Sequence, residues 1–236
     1  MEIYSNTTSL HNLQRHIIDK NIWIRYKACR TLHYLVSNRS GADAIIKAGF
    51  LPFLLKRLLH EERDIIVVIL EILRQLLHLD VKQVTCHLGA LPVLIRFVFD
   101  KFYDVSSFSQ DCLELLLTDN SVRGVIDDKT LAFLKNMRYN MDRETCLKSL
   151  AVYKLLSNST FLRNRIILPE IIDHILNIAE RFKSENQIVL DCFTILHKMC
   201  DVAFGRRILE RRKFLIINVF LPNDKPALPA SFDTKK

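Results

Sequence analysis

The sequence predicts an all-α fold, a right-handed α-solenoid of about four to five repeated units. A composition of 49% hydrophobic and 25% charged residues suits a globular chain with a sizeable core. Only five glycines and six prolines among 236 residues leave little material for the many turns of an all-β protein. Two short patterns that return about every 40 residues then indicate repeated helical units.

Leu-Pro steps form the first of these patterns. They stand at Leu51-Pro52, Leu91-Pro92 and Leu168-Pro169, with Ala132 in the place of proline in an intermediate copy and a weaker copy from Lys213. Proline is tolerated in the first turn of a helix because the N–H that it lacks would have no partner there. Each step therefore predicts the start of a helix.

A small or apolar residue followed four positions later by leucine forms the second pattern. It occurs at Ala28/Leu32, Ile69/Leu73, Cys112/Leu116, Ala151/Leu155 and Cys192/Leu196. Residues four apart lie on the same face of a helix, so each pair predicts a buried stripe. We expect all five leucines in the core.

The second copy shows the complete unit. A short helix over Gly41–Ala48 leads through a glycine turn to a helix over Phe53–Leu59, and a longer helix over about Asp64–Leu79 follows a polar break at residues 60–63. The apolar pattern of the long helix continues without a turn signal, which favours a helix over a strand. It is also too short and too charged for a membrane span. In the third and fourth copies the chain between the leucine and the next Leu-Pro site is shorter, so their first helices are expected to be short or irregular.

The two ends of the chain differ from the repeats. Residues 6–19 have the pattern of an amphipathic helix, and residues 222–236 are polar and rich in proline. We therefore expect an N-terminal capping helix within residues 1–20, a solenoid over residues 21–221 and a disordered tail over residues 222–236.

Charge and cysteine content bear on the partner and the compartment. The formal net charge of +8 favours an acidic partner but is also compatible with ordinary solubility. The six cysteines include no C-x-x-C pair and lie mostly inside apolar helical patterns, which indicates free thiols in a reducing compartment. The first 16 residues lack the basic and apolar regions of a secretion signal. These features predict a cytoplasmic protein.

Two stretches resemble the armadillo-repeat family. GADAIIKAGFLPFLLKRLL (41–59) and HLGALPVLIRFVF (87–99) are similar to it in the glycine turn, the Leu-Pro step and the apolar helix that follows. The resemblance covers about residues 10–220. It implies an α-solenoid that binds other proteins and has no catalytic role.

A further resemblance concerns LQRHIIDKNIWIRYKACRTLHYLV (13–36) and CDVAFGRRIL (200–209). Both stretches are similar to the armadillo-repeat subunits of ciliary radial spokes. This resemblance implies a non-catalytic assembly subunit within the axoneme of a cilium or flagellum.

Armadillo proteins that bind extended peptides resemble one another in a ladder on the concave side of their long helices. Tryptophan stands two residues after the small residue, and asparagine six after it. The tryptophan positions of this chain hold Arg30, Glu71, Glu114, Tyr153 and Thr194, and its asparagine positions hold Tyr34, Gln75, Thr118, Ser157 and Lys198. None of the ten is a tryptophan or an asparagine, which disfavours this kind of peptide capture. The ten side chains remain candidates either for a partner-specific groove or for a solvated face.

The densest basic cluster lies in GRRILERRKF (205–214). It contains Arg206, Arg207, Arg211, Arg212 and Lys213. Such a cluster suits docking on an acidic protein surface, nuclear targeting or phosphate contact, and it equally suits the solvated outer face of a capping helix.

Motifs of catalysis and metal binding are missing from the sequence. Cys29 and His33 are four apart, but no two further ligands follow at a structural-zinc spacing. No dinucleotide-binding, phosphate-loop, zinc-protease or nucleophile-elbow motif occurs. The adjacent carboxylates Glu61-Glu62 and Asp127-Asp128 are expected to point apart. We therefore predict no cofactor, no metal, no small-molecule substrate and no enzymatic activity.

The sequence thus predicts a protein-binding scaffold or adaptor whose partners are proteins with an acidic surface, away from the membrane. Three versions remain open. The chain is an assembly subunit of an axonemal radial-spoke complex, a cytoplasmic or nuclear adaptor that binds a peptide or helix in its groove, or, with less support, a basic solenoid on nucleic acid.

Overall fold

The computed structural model describes residues 7–79, 81–118 and 124–220, and the predicted tail lies outside them. All regular structure in this part of the chain is helical. It divides into two compact units, unit 1 over residues 1–166 and unit 2 over residues 167–236. None of the described helices is long and apolar enough to cross a membrane.

Unit 1 contains eleven described α-helices. The first five are α1 (Thr7–Ile17), α2 (Ile22–Val36), α3 (Arg39–Lys47), α4 (Phe50–Leu58) and α5 (Arg63–Leu77). The next six are α6 (Lys82–His87), α7 (Ala90–Val98), α8 (Tyr103–Leu117), α9 (Asp128–Asn136), α10 (Arg143–Asn158) and α11 (Thr160–Ile166). A 3-10 helix over Met137–Tyr139 separates α9 from α10. Unit 2 contains α12 (Pro169–Arg181), α13 (Asn186–Cys200), α14 (Ala203–Glu210) and α15 (Lys213–Phe220).

The helices of unit 1 pack as an all-α solenoid. Its long helices α2, α5, α8 and α10 have 15 or 16 residues, and each contacts the next long helix. The second helices α4 and α7 pack against the long helix that follows them. The capping helix α1 contacts α2 and α4 and buries Leu10 and Ile17. Each repeat within unit 1 therefore buries its apolar face against the neighbouring repeats.

The glycine turns and Leu-Pro steps start helices as predicted. Gly49 and Gly89 have φ values of 72° and 79°, a left-handed conformation that favours glycine, and they join α3 to α4 and α6 to α7. Pro52 and Pro92 lie in the first turn of α4 and α7, and Pro169 is the first residue of α12. The sequence placed the start of α4 at Phe53, three residues too late.

The first helix of the fourth copy is short, as predicted, since α11 has seven residues. In the third copy, residues 124–127 are not helical and lead directly into α9, and residues 119–123 lie outside the described residues. The first helix α6 of the preceding copy has only six residues. A short first helix is therefore not confined to the copies for which the sequence predicted one.

The long helices share one pattern of burial when they are aligned at their first residue. Their seventh residues are Ala28, Ile69, Ser109, Ser149 and Cys192, and their eleventh residues are Leu32, Leu73, Leu113, Tyr153 and Leu196. All ten are buried. The sequence had placed the third and fourth pairs at Cys112/Leu116 and Ala151/Leu155, which is three and two residues too late. Leu116 is nevertheless buried at another core position, whereas Leu155 is only half-buried, so the prediction of a core leucine is wrong there.

A buried carboxylate ties the turn between α4 and α5 to α2. The Glu61 side chain is 1% exposed and accepts hydrogen bonds from Arg25 Nε at 2.9 Å and from Arg57 Nε at 2.6 Å. Arg25 Nη1 also donates to the backbone carbonyls of Asp19 and Lys20, at 3.0 Å in each case. The residues that read as a solvated polar break thus form an ionic connection between two repeats.

The register of α10 can be tested by comparing one of its leucines, Leu155, with a core leucine of α8, Leu113. Leu113→Ala is expected to lower the free energy of unfolding by about 2–5 kcal/mol, because it removes a fully buried side chain. Leu155→Ala is expected to cost about 1 kcal/mol, because that side chain already contacts solvent. Chemical denaturation of both variants measures the difference. Equal losses would show that Leu155 occupies a core position and that the register given above is wrong.

Burial of His174 on α12 makes the stability of unit 2 depend on pH. Desolvation of the fully buried ring lowers its pKa from 6.5 to about 4. The folded state therefore binds this proton more weakly than the unfolded state, so stability is intact above about pH 6.5 and is lost as the pH falls toward 4. Between pH 7 and pH 5 the loss from this residue should be about 2 kcal/mol.

Denaturation of wild type, His174→Leu and His174→Gln at several pH values isolates this contribution. Both variants should lack the part of the pH dependence that His174 supplies, whatever their stability at pH 7. An unchanged pH dependence in both variants would contradict the burial of a neutral imidazole.

Candidate protein-binding surface

The corrected register changes which side chains lie at the candidate groove positions. These are the ninth and thirteenth residues of each long helix, two and six after the buried small residue. In α8 and α10 they are Asp111, Leu115, Ala151 and Leu155. The first, second and fifth copies keep the predicted residues, Arg30, Tyr34, Glu71, Gln75, Thr194 and Lys198. The corrected set still contains no tryptophan and no asparagine.

Two of the predicted groove residues lie in the core. Tyr153 and Ser157 are fully buried, so neither can contact a partner on the surface. The Tyr153 hydroxyl donates a hydrogen bond to the Leu134 carbonyl at 3.1 Å, and burial raises its pKa. A tyrosine whose hydroxyl has an acceptor can fill the position that leucine fills in the other long helices. The sequence pattern required leucine at this position, and it therefore selected Leu155 in α10 in place of Tyr153.

Side chains at matching positions of adjacent long helices pair with one another. His33 on α2 lies with its Nε2 3.7 Å from Glu71 Oε2 and 3.3 Å from Gln75 Nε2 on α5. Arg74 on α5 lies with its Nη1 3.0 Å from Asp111 Oδ2 on α8. His33 and Arg74 are both the twelfth residue of their helix, and Glu71 and Asp111 are both the ninth of the next. These pairs link neighbouring helices, so Glu71 and Gln75 are partly occupied by contacts within the chain.

The remaining predicted groove residues are distributed over three helices. Glu114 and Thr118 are exposed at the end of α8, where Lys82 Nζ donates to Thr118 Oγ1 at 2.9 Å. Thr194 and Lys198 are half-buried on α13 of unit 2. The predicted groove residues thus belong to both units of the chain.

A continuous exposed row does run along α2. Trp23, Lys27, Arg30 and Tyr34 follow one another at spacings of four, three and four, which places them on one side of the helix. All four are exposed, and the two aromatic side chains at its ends are 69% and 75% exposed. We call these four residues the α2 row. Arg30 and Tyr34 were predicted for the groove, but Trp23 and Lys27 were not, because only the ladder positions were considered.

Open cavities flank Trp23 on both sides. One, of about 400 Å³, lies between α1 and α2 and is lined by Leu13, His16 and Ile24 among others. The other, also about 400 Å³, is lined by Tyr26 and Ile65 among others. Spaces of this kind beside an exposed tryptophan can accept apolar side chains of a partner.

The basic cluster is mostly exposed on unit 2. Arg206, Arg207, Arg211 and Lys213 are exposed. Arg212 is different because it is half-buried and donates from Nη2 to Asp173 Oδ2 of α12 at 2.8 Å. Four of the five cations are therefore accessible to solvent, while the fifth attaches the start of α15 to α12.

Nucleophile and metal chemistry find little support in the described residues. Burial raises the pKa of the Cys29 and Cys112 thiols to about 12, so both are protonated at neutral pH. No group of three histidine, cysteine, aspartate or glutamate side chains in this part of the chain could hold a metal ion. What the surface offers is aromatic, apolar and cationic contact area.

Solved structures show which fold this chain is similar to. No family model and no curated protein matches the sequence at a significant level. A computationally designed armadillo repeat protein for modular peptide recognition is similar with a TM-score of 0.54 and 13% identity, over 81% of this chain and 82% of that one. A designed armadillo repeat protein in complex with peptide (KR)4 is similar with a TM-score of 0.51 and 16% identity, over 85% of this chain and 98% of that one. These similarities and the helix order establish an armadillo-like all-α repeat fold.

Proposed function

We propose that this chain is a non-catalytic scaffold that binds another protein through the α2 row. The observation that carries the proposal is the exposure of Trp23 and Tyr34 on one helix face with Lys27 and Arg30 between them. Tryptophan, tyrosine and arginine are the residue types that dominate binding energy at protein interfaces. The cations favour an acidic partner because opposite charges speed association.

The armadillo-like fold supports this proposal by analogy. One similar structure is a designed armadillo protein that holds the peptide (KR)4. That peptide is basic. The α2 row of this chain is itself basic, so the partner proposed for this chain is acidic. The missing tryptophan and asparagine ladder further favours contact with side chains of a folded or helical partner over capture of an extended peptide backbone.

An axonemal role belongs to the same proposal as its more specific form. Its support is the resemblance of residues 13–36 and 200–209 to the armadillo subunits of ciliary radial spokes. The α2 row lies within the first of these stretches. In this form the chain assembles into a radial spoke of a cilium, and its cytoplasmic pool supplies that assembly.

Co-purification from ciliated tissue with two double variants tests the proposal. Trp23→Ala/Tyr34→Ala is expected to lower recovery of the main partner at least about tenfold, the loss that corresponds to one good interface contact. Tyr103→Ala/Tyr139→Ala is the matched control, because its two tyrosines are 85% and 73% exposed on other elements. Circular dichroism should show equal helical content in all three proteins.

The identity of the recovered protein separates the versions of the proposal. Spoke or dynein components support the axonemal role, and a single soluble client supports an adaptor. Recovery that is sensitive to nuclease supports the nucleic-acid alternative instead. If both double variants recover the partner as wild type does, the α2 row is not the binding surface.

A further inference from the structure

The last described helix, α15, leaves its apolar side chains uncovered. None of its eight residues is buried, and Phe214, Leu215 and Ile217 are 72%, 46% and 47% exposed. The corresponding second helix of an earlier copy, α7, buries five of its nine residues and is covered by the long helix α8. In unit 2, α12 is likewise covered by α13. Among the described residues, no long helix packs on α15 in the way that α8 packs on α7.

Helix α13 extends this apolar surface. Leu190 and Phe193 are three residues apart on α13 and are 56% and 49% exposed. The Phe193 ring meets the Phe220 ring of α15 edge-on, with 5.7 Å between their centroids. On α15, Ile217 and Phe214 lie three and six residues before Phe220, which places them toward one side. We call these five residues the α13–α15 face.

Exposed cations lie on the helices that form and adjoin the α13–α15 face. Lys213 Nζ lies 5.4 Å from the centre of the Phe214 ring. Arg206, Arg207 and Arg211, on and directly after α14, are exposed, and α14 contacts both α13 and α15. An apolar strip beside four exposed cations complements a partner that is apolar on one side and acidic on the other.

We propose that the α13–α15 face binds an amphipathic α-helix of another protein, with an acidic polar side. Its expected length is that of the chain's own long helices, 15 residues, because it takes the place where such a helix packs in the repeat. A segment of this length spans about 22 Å. The proposal concerns unit 2 and does not depend on the α2 row.

Two other occupants fit the face less well. A second copy would bring together chains with a net charge of +8 each and would place cations against cations. The chain's own residues 221–236 contain Pro222, Pro226 and Pro229, a composition unlike that of any of its long helices. Both occupants are outcomes of the experiment that follows.

Fluorescence anisotropy with a designed peptide tests the proposal on the full chain. The probe is a labelled 15-residue helix with leucine at positions i, i+3, i+4 and i+7 and glutamate on the opposite side. One control peptide replaces the glutamates with lysine, and a second has the composition of the probe in scrambled order. The probe is expected to bind at least about tenfold more tightly than either control. Equal binding of probe and scrambled peptide, or no binding up to about 100 μM, would overturn the proposal.

Protein variants locate the binding site. Phe193→Ala/Ile217→Ala should weaken the probe at least about tenfold. Arg207→Glu/Arg211→Glu should weaken it and flatten its salt dependence, whereas Lys47→Glu/Lys56→Glu, an equal change of charge on exposed residues of unit 1, should not. A loss that follows Trp23→Ala/Tyr34→Ala instead would place the peptide on the α2 row and overturn the α13–α15 face alone.

Two measurements identify the competing occupants. Sedimentation that shows a dimer weakened by Phe193→Ala/Ile217→Ala would give the face to a second copy. Probe binding that appears only after removal of residues 221–236 would give it to the chain's own tail. Either result would overturn the proposal, and a monomeric chain that binds the probe with its tail present supports it.

Discussion

The packing of long helices side by side is the interaction on which the rest of unit 1 depends. Each long helix places its seventh and eleventh residues, such as Ile69 and Leu73 of α5, into a core shared with its neighbours. The shorter helices have too few residues to form a core without that platform, and α4 and α7 bury their apolar sides because a long helix follows. The faces that remain open are those which the repeat geometry does not cover: one side of the long helices and the ends of the stack. Both proposed binding surfaces lie on such faces.

Periodicity predicted the elements of the fold better than the position of each side chain within them. The Leu-Pro steps and glycine turns located helix starts because proline is favoured in the first turn of a helix and glycine tolerates the left-handed conformation of the turn before it. The burial register slipped in α8 and α10 because Ser109 and Ser149 are buried small residues that are polar, and Tyr153 stands where leucine was sought. The Tyr153 hydroxyl has a hydrogen-bond acceptor in the core, the Leu134 carbonyl, whereas the Ser109 and Ser149 hydroxyls are buried without a partner among the described residues. Satisfaction of that kind depends on residues far away in the sequence.

The same limit explains what the sequence missed at the surface and in the turns. Glu61 belongs to a polar run that reads as solvent-exposed, yet its partner Arg25 lies 36 residues earlier and draws it into a buried ion pair. Trp23 is the opposite case, because it is the largest side-chain type in the chain and yet is 69% exposed. Whether each of these side chains is buried or exposed depends on which helices pack beside it in the fold. Four of the five members of the basic cluster face solvent, which is compatible with both interpretations of that cluster, whereas Arg212 binds a carboxylate of the described chain.

The first and last described helices, α1 and α15, differ in how much of their apolar surface is exposed. Helix α1 buries Leu10 and Ile17 and exposes His11 and Arg15, a pattern compatible with the predicted capping helix. Helix α15 is apolar on the side that a cap would keep polar. An open apolar face of this kind favours self-association unless something opposes it. In the proposed complex, the exposed arginines of α14 repel a second copy of this basic chain and attract an acidic partner helix. The same charges would then both limit self-association and select the partner.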